Sequence, residues 1–201
     1  MIKIENISVY NIARAVYSSR NALNSWDKSD SDLEHDILGE NDLDLARRLY
    51  KAGAEHRKYM RQIFVTMDVT APRYWWEQQS TYKIGTTSNS CSTMHTIHKK
   101  PFEFDDFSHE HLFYQWQSQL MNTIAMLNYA REEYLRTKDK KWWWQMIQLL
   151  PQSYMQKRTI TMNYENVVNI IKQRSGHKLT EWEDFIAELK KLPYITEIMG
   201  D

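Results

Sequence analysis

The stretch APRYWWEQQSTYKIGTTSNSCSTMH, residues 71–95, carries the densest chemistry in the chain. It holds Trp75 and Trp76, the rings of Tyr74, Tyr82 and His95, a run of small hydroxyl side chains, and Cys91, the sole cysteine. Pro72 suits a helix start, because its fixed φ fits the first turn and its missing N–H is not needed there. A helix is therefore predicted over Arg73–Ser80. Helical periodicity fades after Lys83, which predicts a structured loop. Small hydroxyl and amide side chains let a backbone approach a polar ligand closely, each offering a donor and an acceptor at little volume. Loops held by a rigid element are where binding groups tend to sit. A Ser/Thr-rich surface turn is the plain alternative.

Upstream, Arg61–Val69 places Ile63, Val65, Met67 and Val69 on one face, the alternation of a half-buried strand. Asn41 or Asp42 can cap a helix through about Ala52, with Gly53 as its stop. Asn24–Asn41 is acidic and turn-rich and is expected to be a mobile loop. Residues 2–9 fit a short strand or the lead-in to a helix, and Ile12–Tyr17 continues with helical spacing. Downstream, Ser108 opens a long helix in which Leu112, Trp116, Leu120, Ile124 and Leu127 recur at three- and four-residue steps. Trp142–Leu150 predicts a shorter helix stopped by Pro151. Thr159–Met162 resembles a strand, and Asn163 can cap a helix with Val167, Ile170 and Ile171 inward. Arg174 projects one turn beyond Ile170. A final helix is predicted over Leu179–Leu192, ended by Pro193. The pattern is α+β in one domain spanning residues 1–201.

Lysine plus arginine equals aspartate plus glutamate at 26 each, so no whole-chain field draws in nucleic acid or an anionic membrane. One cysteine excludes an internal disulfide and a cysteine-based zinc site. His95 and His98 lack a third ligand placed with them, so no metal is expected. MIKIENISVY does not pair a basic region with an apolar run, and no segment approaches the length of a membrane span; a cytoplasmic protein is expected. Eight tryptophans and twelve tyrosines point to packing and an oligomer interface.

Three stretches together resemble the flavin-dependent thymidylate synthase family. LARRLYKAGAEHRKYMRQIFVTMDVT (45–70) resembles its helix, Gly-His-Glu turn and strand, with Gly53 and Glu55 matching and Ala54 in place of histidine. QQSTYKIGTTSNSCST (78–93) lies where the family has an Arg-His-Arg triplet, then Ser, Asn-Glu, Ser and a final Arg. LLPQSYMQKRTITMNYENVVNIIKQR (149–174) resembles the Leu-Pro segment, strand, Asn-x-Arg and Leu-Arg helix, ungapped from Pro151 through Asn163 and Asn169 to Arg174.

The resemblance implies a small central β-sheet flanked by long helices and a cytoplasmic homotetramer holding FAD between subunits. It also implies a methyltransferase of dTMP biosynthesis, with dUMP as the small-molecule nucleotide, methylenetetrahydrofolate as carbon donor and NADPH as hydride source. By position, Gln78 and Arg174 would hold and polarise the base, and Asn163 and Asn169 would contact the flavin. Thr81, Tyr82 and Lys83 stand for Arg-His-Arg beside the flavin, so one cation remains of two. Ser88 and Asn89 stand for Asn-Glu, and Cys91 for the second serine. Thr93 and Ile147 replace phosphate-binding arginines, and Glu165 reverses the charge of another arginine.

Cys91 is a thiol able to add to a pyrimidine ring or react with a flavin if a cation such as Lys83 supports its thiolate, or a small buried replacement for serine. Tyr74, Trp75 and Trp76 can stack on a ring system, or simply pack. Glu55 and Glu77 have no positive support as bases, and His109 and His111 have no assigned role. Three readings result, in this order: a divergent flavin-dependent enzyme acting on a pyrimidine nucleotide, an inactive module of the same fold that binds nucleotides or proteins, and a structural protein whose tryptophan clusters are assembly contacts without a ligand.

Overall fold

A computed structural model describes residues 1–200. Its elements run β1 (Lys3–Tyr10), α1 (Ile12–Ser18), α2 (Glu40–Ala52), β2 (Phe64–Pro72), α3 (Arg73–Gln79), β3 (Thr86–Ser90) and α4 (Thr93–Thr96). They continue with α5 (Tyr114–Thr137), α6 (Lys140–Leu149), β4 (Met155–Asn163), α7 (Tyr164–Arg174), α8 (Thr180–Leu189) and α9 (Ile195–Met199). The strands form one sheet in the order β1-β2-β4-β3. β2 and β4 are antiparallel, since Arg73 N–H meets the Tyr154 carbonyl while Tyr164 N–H meets that of Ile63. The mixed α+β architecture agrees with the sequence pattern. No helix of the described residues is long and apolar enough to cross a membrane.

By its contacts the chain divides into two compact units. The first comprises residues 1–3, 70–81 and 89–158. Its core joins Leu120, Ile124, Leu127 and Ala130 of α5 to Met146 of α6, with Ile97, Phe102 and Phe107 from the preceding connector. Leu120, Ile124 and Leu127 face inward as their spacing predicts, but Trp116 is 57% exposed. The apolar stripe runs on past the stretch that this core covers. Tyr114, Met121, Met126, Tyr129 and Trp144 are exposed as well, leaving the α5–α6 pair with a broad aromatic face.

The second unit comprises residues 4–69, 82–88 and 159 onward. Val65, Met67, Val69, Ile160 and Met162 of the strands are buried, as are Val167, Ile170 and Ile171 of α7 and Trp182 and Phe185 of α8. The acidic stretch expected to move is tied to α2. Its Asp30 carboxylate takes the N–H groups of Asn41 and Asp42, at 2.8 and 3.2 Å. The helix thus begins at Glu40, and its cap comes from Asp30 rather than from Asn41 or Asp42. Asp42 points inward instead, fully buried, and takes Arg20 Nε at 2.6 Å and the hydroxyls of Ser29 and Ser31 at 2.5 Å each.

Candidate functional site

In the second unit, helix α7 organises the polar residues. Asn163 caps it, Oδ1 accepting the Asn166 N–H at 3.0 Å, so the local sequence Asn-x-x-Asn starts the helix. Asn166 then holds the chain at residues 84–86: its Nδ2 donates to the Ile84 carbonyl at 2.5 Å and to Thr86 Oγ1 at 2.9 Å. Gly85 fits that approach because it has no Cβ; one built there would lie 2.2 Å from Asn163 Nδ2, at a φ of 71°. Asn163 is 7% exposed, and its Nδ2 makes no hydrogen bond among the described residues. The half-buried Asn169 amide makes none either.

At the far end of α7 sits Arg174. Its Nε donates to the Tyr82 hydroxyl at 2.9 Å, and that hydroxyl donates to Gln173 Oε1 at 3.1 Å. The guanidinium lies 4.8 Å from the Trp182 ring centre and 5.5 Å from that of Tyr82, where ring faces favour a cation. Residues 82–86 are thus fastened along α7 at both ends, by Asn166 and by the Gln173–Arg174 pair. Lys83 is exposed between these anchors. Glu165, the reversed charge, is neutralised within this unit: Arg57 Nε lies 3.1 Å and Arg61 Nε 3.0 Å from its carboxylate. Its place in the first turn of α7 also suits the positive end of a helix dipole.

In the first unit, α3 spans Arg73–Gln79, one residue short of the prediction, with Gln78 half-buried and the Thr81 hydroxyl on the Gln78 carbonyl at 2.7 Å. Trp75 and Trp76 are fully buried, their rings edge to face at 4.9 Å, so they pack rather than offer a stacking platform. The predicted loop instead contains β3, paired to β4, and Asn89 is exposed on it. Hydroxyl-rich strands lack the apolar alternation that sequence reading relies on.

Cys91 follows β3 and is exposed, not the buried serine replacement. Its N–H donates to the Lys157 carbonyl at 2.9 Å, and its own carbonyl accepts Gln156 Nε2 at 2.8 Å. It lines a cavity of about 520 Å³ with Lys99, Lys100, Lys157, Phe102 and Tyr154. Burial, then the nearby Asp106 carboxylate, raises the Tyr154 phenol above its ordinary value. These lysines, contributed by β4 and by the connector after α4, are neighbours that sequence spacing could not supply. Among the described residues no histidine, cysteine and carboxylate cluster could hold a metal.

The sequence profile of the thymidylate synthase complementing protein family matches residues 4–190. No curated protein matches the sequence. Among solved structures, a flavin-dependent thymidylate synthase ThyX from Helicobacter pylori, complexed with FAD and dUMP, superposes with a TM-score of 0.74 at 16% identity, over 98% of this chain and 96% of that one. A second structure of ThyX from that organism with FAD and dUMP gives 0.71 at 16% identity, over 98% and 95%. A UMP/dUMP methylase, PolB, from Streptomyces cacaoi, bound with 5-Br dUMP, gives 0.65 at 15% identity, over 100% and 95%. The family match spans nearly the whole sequence, and the shared fold spans all of it but a few residues. The chain belongs to the thymidylate synthase complementing protein family, that of the flavin-dependent thymidylate synthases.

Proposed function

We propose that this protein is a flavin-dependent transferase that binds FAD and a dUMP-like pyrimidine nucleotide and passes a one-carbon unit or hydride to the base. The observation that carries this reading is the state of α7: Arg174 is oriented by Tyr82 and Trp182, while the Nδ2 of the capping Asn163 and the amide of Asn169 have no hydrogen bond among the described residues. Unpaired amide groups at the positions that contact flavin in the resembling family fit the cofactor's carbonyl and ring-nitrogen edge. When bound, the flavin supplies the reducing power. The chain's own part is orientation and polarisation: Asn163, Asn169 and Lys83 hold the cofactor, Thr81, Tyr82 and Asn89 line its site, and Gln78 and Arg174 hold the base. A guanidinium beside a pyrimidine carbonyl stabilises negative charge developing on that oxygen. Cys91 would act as a thiol on a ring carbon, a role supported by its exposure beside Lys99 and Lys157 in a cavity that Asp105 and Asp106 also line. Methylenetetrahydrofolate and NADPH enter only if the family reaction is retained.

The exposed aromatic face of α5 and α6 supports assembly of copies, and a cytoplasmic homotetramer is the form that the family resemblance implies. Thr93 and Ile147, standing where the family has phosphate-binding arginines, favour a second reading, a nucleotide-binding module without turnover.

Titration of the purified protein with FAD, followed by absorption in the near-ultraviolet and blue, tests the first claim. A perturbed flavin spectrum is expected, and none at all would refute it. Tyr82→Phe removes only the hydroxyl that holds Arg174. It is expected to lower kcat for dUMP turnover by about 10-fold, the scale of one neutral-to-charged hydrogen bond, with KM changed less. Growth of a thymidine-requiring strain separates the two readings, since the module alone predicts dUMP-dependent thermal stabilisation without rescue.

A further inference from the structure

Two arginines of the first unit carry charge that nothing in the described structure neutralises. Arg73 opens α3, its N–H on the Tyr154 carbonyl at 3.1 Å. Its guanidinium has no hydrogen bond, ion pair or ring contact among the described residues. Trp76, three residues on and therefore on the same face of the helix, donates Nε1 to the Gln156 carbonyl at 2.8 Å. The Trp76 indole carries the second arginine: Arg158 Cζ lies 4.5 Å from its ring centre. Gln156 fixes the orientation, Oε1 accepting Arg158 Nε at 3.3 Å and Nη2 at 3.0 Å. Neither guanidinium has a carboxylate within ion-pair distance. Burial, and then the positive charge of Arg73, push the Arg158 guanidinium below its ordinary pKa, so the two like charges feel one another.

A half-buried pair of cations without an anion is costly unless an anion arrives. The arrangement is also wired to the segment that has lost an arginine. Through its Nε2, Gln156 grips the Cys91 carbonyl at 2.8 Å, two residues before Thr93. Arg158, Gln156 and Cys91 therefore form a continuous chain of contacts into that segment, with the Nη1 edge of Arg158 left without a partner.

We propose that Arg73 and Arg158 form the phosphate seat for the nucleotide monophosphate bound by this chain, replacing the cations missing at Thr93 and Ile147. The occupant is a phosphate monoester: a dianion matches two guanidinium groups in charge, and their planar forks suit paired oxygens. The assignment of the seat to a pyrimidine nucleotide rests on the function proposed above; the seat's taste for phosphate does not.

The test compares dUMP, deoxyuridine and inorganic phosphate by calorimetric titration of the full chain, as wild type, Arg73→Ala and Arg158→Gln. Wild type is expected to prefer dUMP over deoxyuridine. Each variant should weaken dUMP by about 10- to 150-fold, with deoxyuridine unchanged within about twofold. Arg158→Gln disturbs the packing on Trp76, so Arg73→Ala, whose guanidinium has no hydrogen bond, ion pair or ring contact among the described residues, decides the matter. Unaltered dUMP affinity in a folded Arg73→Ala overturns the seat. If wild type takes neither FAD nor deoxyuridine, but binds inorganic phosphate in an Arg73-dependent way, the functional reading fails and the seat stands. Phosphate binding indifferent to Arg73 removes the seat whatever else binds.

Discussion

Two sets of arginines, one from each unit, have opposite fates. In the second unit Arg20 meets the buried carboxylate of Asp42, and Arg57 and Arg61 share Glu165. In the first unit Arg73 and Arg158 have the company of a tryptophan, an amide and each other. Charges whose role is to hold a fold are paired, because an unpaired buried charge costs more than the fold can lose. Charges left unpaired at a half-buried position need a different explanation, and a ligand is the economical one. The contrast separates cations that shape the protein from cations that serve it, even though composition counts them alike.

The largest expected effect breaks the paired side. Asp42→Ala strips Arg20 of its carboxylate and leaves the Ser29 and Ser31 hydroxyls without their acceptor. Breaking one partner out of a buried pair costs about 3–5 kcal/mol. Denaturant unfolding should show a lower midpoint with little change in slope. A loss under about 1 kcal/mol would mean that Arg20 finds other partners and the pairing is not structural.

Next in size is Asp30→Asn, which weakens the cap that begins α2, at a cost of about 1 kcal/mol. Burial pushes the Asp30 carboxyl up, but the N–H groups of Asn41, Asp42 and its own residue, with Arg20 beyond, outweigh it and hold it below the usual carboxylate range. A depressed pKa contributes stability that is complete above the unfolded value, about 3.9, and is lost as pH falls through the folded one. The gap in stability between wild type and variant should therefore be full at neutral pH and close below about pH 4. A gap independent of acid would show that the charge is not what caps the helix.

What the sequence made legible follows from how far each interaction reaches along the chain. The cap at Asn163 joins residues three apart, and the strand and helix that follow Pro151 lie where local spacing predicts them. The Asp30 cap reaches across eleven residues of irregular chain, and nothing local announces it. β3 was missed because threonine, serine and asparagine give no apolar alternation, and α9 because Pro193 looked like an end whereas Tyr194, at a φ of 59°, restarts the chain into another turn. At the candidate site, the resemblance points to Asn163, Asn169 and Arg174 by position alone, and Arg174 is the one whose surroundings the fold defines most fully. Its partners were not readable: Tyr82 meets Arg174 from 92 residues away, and Lys99 and Lys100 join Cys91 from a connector with no motif of its own.

The smallest expected effect is the most discriminating. If Arg73 were a structural cation like Arg20, its removal would destabilise the protein. Its guanidinium instead has no hydrogen bond, ion pair or ring contact among the described residues, and it opposes Arg158. Arg73→Ala should leave unfolding stability within about 0.5 kcal/mol of wild type, the range of ordinary surface substitutions. Any displacement should be upward, because relief of repulsion between partly buried like charges favours the folded state. Added phosphate reverses the order: an anion that binds the native pair stabilises wild type by mass action and leaves the variant behind. Thermal unfolding with and without phosphate therefore reads both halves of the contrast in one experiment. A variant that loses more than about 1 kcal/mol without any anion would place Arg73 among the paired, structural arginines and erase the distinction between the two sets.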